Sequence, residues 1–131
     1  MLLNGEVQKI STNEARMLVY ALLKPSGCTV RTCDVEVIPN QYFPHLFFFE
    51  ALSLNPKPDS SLHIGSWAVD PRTGDLWGAN VCVEYRTAAL ERSQRQLRKR
   101  LRLTQDGYQR LKQRPPMCDA GEHVELRSDK Y

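Results

Sequence analysis

The sequence contains no long hydrophobic run. No apolar stretch reaches the roughly 18 residues that a membrane-spanning helix needs. The first residues, Met1–Glu6, lack the basic end and the long apolar core of a signal peptide. From this pattern we expect either a cytosolic protein or a protein whose leader was removed before residue 1.

The sequence also lacks the patterns that hold phosphates and metal ions. Its seven glycines are scattered, and none of them forms a glycine-rich phosphate loop. Cys28 and Cys33 are spaced like one loose couple of zinc ligands. A zinc site usually needs a second couple, and Cys82 and Cys118 lie too far apart to supply it. We therefore predict no metal and no cofactor.

No local grouping of residues has the form of a catalytic site. A Cys82 thiolate with His63 as its base is conceivable, but a buried or disulfide-bonded Cys82 is the simpler interpretation. Glu50 stands among aromatic residues, where an inward-facing carboxyl group would suggest a functional site. We predict no catalytic residue and no enzyme activity. An enzyme built around Glu50, His45 and His63 is the lesser alternative.

The four cysteines indicate the compartment. An even number of cysteines in a small chain permits two disulfides, with three possible connectivities. We prefer the pairs Cys28–Cys33 and Cys82–Cys118, of which the second would tie a proline-rich tail to the sheet. Structural disulfides are rare in the cytosol. The cysteines therefore favour a periplasmic or secreted protein, with the cytoplasm as the alternative.

Length and composition indicate one domain. The chain has 131 residues, of which 41% are hydrophobic and 25% are charged. These proportions are ordinary for a soluble globular protein, and a chain of this length can bury a real core. We predict a single α+β domain over residues 1–118 and a polar tail over residues 119–131.

Hydrophobic periodicity predicts a helix and then strands. Ser11 and Glu14 have the spacing of a capping box, and an apolar stripe at helical spacing follows, which predicts a helix over residues 12–24. Residues 29–38 alternate between apolar and polar, which is typical of a strand with one wet face. Residues 45–54 include a continuous apolar run, which predicts a strand buried on both faces or covered by a helix.

The stretch over residues 64–83 is the predicted central hairpin. Asp70 and Pro71 are suited to the start of a reverse turn, and Gly74 can adopt the positive φ that closes it. With the helix before it, this order of elements predicts an antiparallel sheet of about four strands. The N-terminal helix would pack on that sheet, and a basic helical segment would follow at the C-terminal end.

Positive charge is concentrated in that C-terminal segment. Between Arg86 and Arg114 there are ten basic residues and two acidic ones, whereas the rest of the chain has eight basic and thirteen acidic residues. A helix over residues 88–102 would carry most of these cations, and Thr104 would begin a short third helix. Such asymmetry indicates an anionic partner, although a solvated helix face would look the same. Arginine suits carboxylates at protein interfaces, and no nucleic-acid-binding signature is present.

The hairpin turn resembles a motif of known envelope domains. The pairs Val69-Asp70 and Thr73-Gly74 are similar to the hairpin of PepSY-type and cystatin-like domains, and in size and general character the chain resembles a bacterial immunity protein. The resemblance implies an envelope or secreted domain that binds and neutralises a toxin or hydrolase without catalysis. The alternative is a small nucleic-acid-binding protein that uses the arginine-rich helix over residues 88–102.

Exposed loops on rigid strands commonly carry recognition. We therefore expect partner contacts at the tip of the hairpin, in the loop over residues 56–61 and on the basic helix. The candidate residues are Arg72, Thr73, Lys57, Asp59, Arg95, Arg98 and Arg102.

Overall fold

The computed structural model describes residues 8–40, 43–55, 62–79 and 83–112, and the backbone of residues 124–127. In chain order the elements are α1 Thr12–Leu23, β1 Cys33–Ile38, β2 Phe47–Ser53, β3 His63–Val69, β4 Leu76–Gly78, β5 Val83–Arg86, α2 Ala88–Arg100, α3 Gln105–Leu111 and β6 Val124–Arg127.

The strands form one sheet in sequence order, from β1 to β6. The first five strands are antiparallel, which confirms the predicted α+β fold. The sixth strand pairs with β5 in parallel, and its residues 124–127 belong to the stretch that was predicted to be a polar tail. Parallel neighbours require a crossover connection. Here α2 and α3 lie between β5 and β6 in the chain, so the basic segment is part of that crossover.

Helix α1 begins as the sequence predicts. The Ser11 side chain accepts a hydrogen bond from the Glu14 N–H, and the Glu14 carboxylate accepts one from the Ser11 N–H at 2.8 Å. The helix ends one residue earlier than predicted and continues as a 3₁₀ turn over Lys24–Ser26, after which Gly27 takes a φ of +90°. Because a left-handed backbone favours glycine, Gly27 is suited to end this turn.

The Cys28–Cys33 disulfide is present, as predicted. It closes a turn in which the Cys33 N–H donates to the Thr29 carbonyl at 2.8 Å, so β1 begins at Cys33 rather than at Thr29. The other predicted pair, Cys82–Cys118, lies outside the described residues.

Both faces of the sheet carry a buried apolar cluster. Phe49 and Trp67 face the helices and pack with Leu18 and Leu90. Phe48 points to the opposite face, where it packs with Trp77 and other apolar residues. This alternation explains the continuous apolar run of β2, because successive side chains on a strand enter opposite faces of the sheet.

Helix α1 also lies along the outer edge of β1. The Arg16 Nε donates to the Val35 carbonyl at 2.9 Å. The Tyr20 hydroxyl donates to the Cys33 carbonyl at 3.0 Å and accepts from the Val35 N–H at 3.2 Å. Two side chains of α1 therefore satisfy backbone groups that a further strand would otherwise use.

Candidate partner-binding surface

The predicted turn between β3 and β4 forms, but it is not an exposed tip. The Gly74 N–H donates to the Asp70 carbonyl at 2.7 Å, the Asp70 side chain accepts from the Arg72 N–H at 2.9 Å, and Gly74 has a φ of +79°. Yet Thr73 is fully buried. The Arg72 side chain, 29% exposed, pairs with Asp70 at 3.2 Å. The expectation of an exposed tip is therefore wrong, because α2 packs over the turn.

Arg98 connects α2 to this turn. Its Nε donates to the Thr73 carbonyl at 2.7 Å, and its Nη2 donates to Asp75 Oδ1 at 2.9 Å. One turn earlier in α2, the Gln94 amide donates to the Gly74 carbonyl at 2.8 Å. These bonds satisfy buried backbone carbonyls that the turn cannot satisfy by itself. Arg98 was predicted to contact a partner, but the structure directs it inward.

Tyr108 completes the same network from α3. Its hydroxyl donates to Asp75 Oδ1 at 2.8 Å, and the Arg98 guanidinium lies 4.0 Å from the centre of its ring. Burial raises the pKa of Tyr108, and the nearby Asp75 carboxylate raises it further. The hydroxyl therefore stays protonated and acts as a hydrogen-bond donor. This network is structural, since it joins the turn to α2 and α3.

Four cations of the basic segment point outward instead. Arg92, Arg95, Lys99 and Arg102 are exposed, and among the described residues none of them makes a side-chain hydrogen bond or ion pair. Arg92, Arg95 and Lys99, at i, i+3 and i+7, lie along one side of α2. Arg102 follows just after the end of the helix. We call these four residues the basic ridge. Arg95 and Arg102 were predicted from the sequence together with Arg98, which shares their i, i+3, i+7 spacing, so only its contacts in the structure separate Arg98 from them.

Arg102 has an unusual backbone at the end of the ridge. Its φ is +56°. The Leu103 N–H donates to the Arg98 carbonyl and the Arg102 N–H donates to the Lys99 carbonyl, which is the Schellman pattern of a helix end. Glycine usually occupies this position, because a side chain disfavours the left-handed conformation.

A groove lies between α1 and α2. It has a volume of about 340 Å³, and Met17, Leu18 and Leu97 supply its apolar lining. A second hollow of about 380 Å³ shares Met17 with the groove and extends to Val30. The two helices are joined at the groove by an ion pair, in which Arg100 Nη2 lies 2.6 Å from Glu14 Oε2.

Beside its apolar cluster, the opposite face of the sheet carries acidic side chains on β1 and β2. Glu36 lies opposite Glu50 in the register of β1 and β2, and Asp34 precedes it by two residues on the same face. A hydrogen bond to Asp34, the charge of Asp34 and the charge of Glu50 raise the pKa of Glu36. Among the described residues, the outer face of β1 and β2 is therefore acidic, whereas the exposed charged residues named on α2 are cationic.

The histidine and carboxylate candidates do not form a catalytic relay. His63 Nε2 lies 3.5 Å from Glu50 Oε1 and 3.1 Å from Ser66 Oγ. A serine–histidine–acid relay needs the hydroxyl and the carboxylate at different ring nitrogens. Here the Ser66 hydroxyl and the Glu50 carboxylate both lie near the same nitrogen, Nε2. His45 is exposed.

The structure does not describe four of the residues that were predicted to contact a partner or to form a disulfide. Lys57, Asp59, Cys82 and Cys118 are outside the described residues.

Within the described ranges, no group of three His, Cys, Asp or Glu side chains could hold a metal ion. Over the same ranges, no helix has the length and apolar character needed to cross a membrane.

The fold is similar to one already solved. It matches a chain in the structure of a type VI secretion system effector–immunity complex from Pseudomonas protegens, with a TM-score of 0.59 and 18% identity. The alignment covers 82% of this chain and 91% of the other chain. No family model and no curated protein matches the sequence. At this level of identity the similarity establishes a shared α+β fold.

Proposed function

We propose that this protein is a non-enzymatic binding module, an immunity or inhibitor protein that binds and neutralises a secreted toxin or hydrolase. The observation that carries the proposal is the fold shared with a chain of an effector–immunity complex over most of both chains. The proposed partner is therefore a protein.

The chemistry of the described residues supports a binding role. His63, Glu50 and Ser66 are close together without forming a relay. The cations of the basic ridge are exposed, and none of them pairs with another described residue. An exposed row of unpaired cations offers contacts to another molecule.

The proposed location is the periplasm or the exterior of the cell. The Cys28–Cys33 disulfide supports this proposal, since disulfides persist in oxidising compartments and are rare in the cytosol.

A protection experiment tests the proposed function. A strain that lacks this chain is grown in contact with its parent, which produces both the toxin and the chain. We expect the deletion strain to be killed or outcompeted, and a plasmid copy of the chain to restore it. A parent strain with inactive toxin secretion is the control, against which the deletion strain should compete normally. Equal fitness of the deletion strain beside the actively secreting parent would contradict the proposal.

The basic ridge would also suit a row of phosphates, so nucleic-acid binding is the second candidate function. Binding to duplex DNA would weaken steeply with salt, because each phosphate contact releases a counterion. We expect no such binding by the purified chain at physiological salt. Steep, salt-dependent binding that the substitutions Arg95→Glu and Lys99→Glu abolish would favour the second candidate instead.

A further inference from the structure

We propose that the basic ridge is the surface by which this protein docks on its partner, and that it binds a row of carboxylates on an acidic surface of the partner protein. This inference rests on the proposed function and adds the binding surface and the chemistry of the partner to it. Three of the four ridge cations are arginines, whose planar fork can bind a carboxylate through two parallel hydrogen bonds.

The ridge lies on the outer side of α2. Leu90 is the fully buried side chain of this helix. At about 100° per residue, Arg95 and Lys99 project roughly opposite to it. Seven residues of helix rise about 10 Å, so the cations from Arg92 to Lys99 form a row of about that length, which Arg102 continues past the helix end. Small molecules bind in concave sites, whereas a row of charges on a convex helix suits the surface of another protein.

The ridge lacks the acidic side chains that commonly alternate with cations on an exposed helix. Arg92 and Arg95 are three residues apart, and Arg95 and Lys99 are four apart, so like charges are neighbours on the helix surface. Such pairs destabilise a helix. Glu91, the acidic residue of α2, has its Oε1 4.0 Å from Arg86 Nη1. Among the described residues none relieves the repulsion within the ridge, whereas carboxylates of a docked protein would.

Two other arginines of α2 are paired within the fold. Arg98 pairs with Asp75 at 2.9 Å, and Arg100 pairs with Glu14 at 2.6 Å. These ion pairs join α2 to the turn before β4 and to α1. The ridge cations make no such connection among the described residues, so substituting them should leave the fold intact.

The backbone of Arg102 is an independent indication that the ridge has a role in binding. Its φ of +56° lies in the left-handed region, where glycine would be more stable than arginine. Residues held in such a conformation cluster at functional sites, where their role offsets the strain. The arginine adds a cation to the end of the row, which glycine could not do.

The surroundings of the ridge favour a protein over a nucleic acid as its partner. Proteins that bind single strands combine cations with aromatic side chains on which the bases stack. No Phe, Tyr or Trp side chain is exposed in the part of the chain that the structure describes. The proposed function likewise supplies a protein partner, so carboxylates rather than phosphates are the anions that we assign to the ridge.

Binding of two peptides to the purified full chain tests the proposal. One is a polyglutamate peptide of about ten residues, which is long enough to span the ridge whether it is helical or extended. The other is a neutral peptide of the same length made of glutamine and serine. Fluorescence anisotropy at about 0.15 M salt gives the affinity of each peptide. We expect polyglutamate to bind at least about tenfold more tightly than the neutral peptide.

Charge reversal locates the binding surface. Arg95→Glu with Lys99→Glu should weaken polyglutamate binding roughly tenfold or more, since each reversal replaces an attraction by a repulsion. The matched control is Arg31→Glu with Arg110→Glu, which makes the same change in net charge at two exposed cations outside the ridge. Because salt screens distant charges, the control should weaken binding less than about twofold.

Two further variants separate loss of binding from loss of folding. Arg95→Gln removes the repulsion from Arg92 and Lys99, and Arg102→Gly relieves the left-handed backbone, so neither should lower the melting temperature. Arg102→Gly should raise it by a few degrees, as measured by circular dichroism. Each variant should nevertheless weaken polyglutamate binding several-fold. Weaker binding by a protein that is at least as stable is a combination that misfolding cannot produce.

Four results would overturn the proposal. The first is equal binding of the acidic and the neutral peptide. The second is an equal effect of the ridge reversal and the matched control, which would assign the binding to net charge. The third is ridge-dependent binding of duplex DNA that is tighter than that of polyglutamate. The fourth is self-association that Arg95→Glu with Lys99→Glu abolishes, because the ridge would then dock on a second copy of this chain.

The cell experiment separates this inference from the function on which it rests. If the wild-type chain protects the deletion strain, reduced protection by the ridge reversal but not by the matched control supports the docking surface. If the two variants protect equally well or equally poorly, the docking surface is wrong and the proposed function stands. If the wild-type chain gives no protection, the proposed function itself fails, and the peptide measurements decide whether the ridge binds carboxylates.

Discussion

The arginines of the basic segment have different roles. Arg98 is held by Thr73 and Asp75 and stacks on Tyr108, whereas Arg95, three residues earlier, is exposed. The difference arises because Arg98 lies within hydrogen-bond reach of the turn between β3 and β4, whereas no described residue receives the Arg95 side chain. A net charge counted along the sequence therefore overstates the charge that a partner can meet.

Substitution Tyr108→Phe tests the buried network. The variant keeps the ring beside Arg98 and loses the hydrogen bond to Asp75, so we expect it to be about 1–2 kcal/mol less stable at pH 7. Chemical denaturation monitored by circular dichroism measures the free energy of unfolding.

The pH dependence of the same variant provides the control. Because the pKa of Tyr108 is raised in the folded state above its ordinary value of 10.0, the folded state holds its proton more tightly than the unfolded state does. The stabilisation is complete below pH 10 and is lost as the pH rises further. The difference between wild type and Tyr108→Phe should therefore shrink above pH 10. A constant difference from pH 7 to pH 11 would contradict the assignment.

At the scale of elements, α1 serves the sheet in two ways. Its buried face, which includes Leu18 and Val19, covers the core. Arg16 and Tyr20, four residues apart on its flank, bond to the outward backbone groups of β1. An exposed edge strand is a template for pairing with another chain, and proteins commonly block it. Helix α1 therefore limits pairing through β1.

The double substitution Arg16→Ala with Tyr20→Phe tests this blocking. It leaves the carbonyls of Cys33 and Val35 and the N–H of Val35 without their side-chain partners, so we expect self-association that rises with protein concentration. Sedimentation velocity measures the molecular mass over a range of concentrations. Arg110→Ala removes an exposed arginine elsewhere and should remain monomeric. A double variant that also stays monomeric at every concentration would exclude a role for these bonds in blocking the edge.

At the largest scale, the described residues place exposed cations on the helical layer and acidic side chains on the outer face of β1 and β2. The helical layer carries the basic ridge, and the outer face of the sheet carries Asp34, Glu36 and Glu50. Such a separation orients an approaching charged partner and raises the rate of association more than it raises the affinity.

Association rates test this polarity. Stopped-flow mixing with a polyglutamate peptide should show several-fold slower association for Arg95→Glu with Lys99→Glu than for the wild-type chain. Charges separated by more than about 8 Å are largely screened at about 0.15 M salt. Asp34→Asn with Glu50→Gln on the far face should therefore change the rate less than about twofold under those conditions. A larger change would show that the peptide approaches the acidic face rather than the basic ridge.

The sequence by itself determined the local structure and the fold class. The capping box at Ser11, the turn at Asp70 and the alternation along β1 depend on neighbouring residues, so they could be predicted and are present. The Cys28–Cys33 disulfide could also be predicted, because the two cysteines are close in the chain.

The tertiary structure decided which of those residues face outward. Thr73 is buried only because α2, some twenty residues later, packs over its turn, and Arg98 points inward only because Asp75 and Tyr108 are there to receive it. The β6 strand likewise depends on pairing with a strand about forty residues earlier. The groove between α1 and α2 joins residues about eighty positions apart. Local patterns carry no information about such distant contacts, because burial depends on how the elements pack in three dimensions.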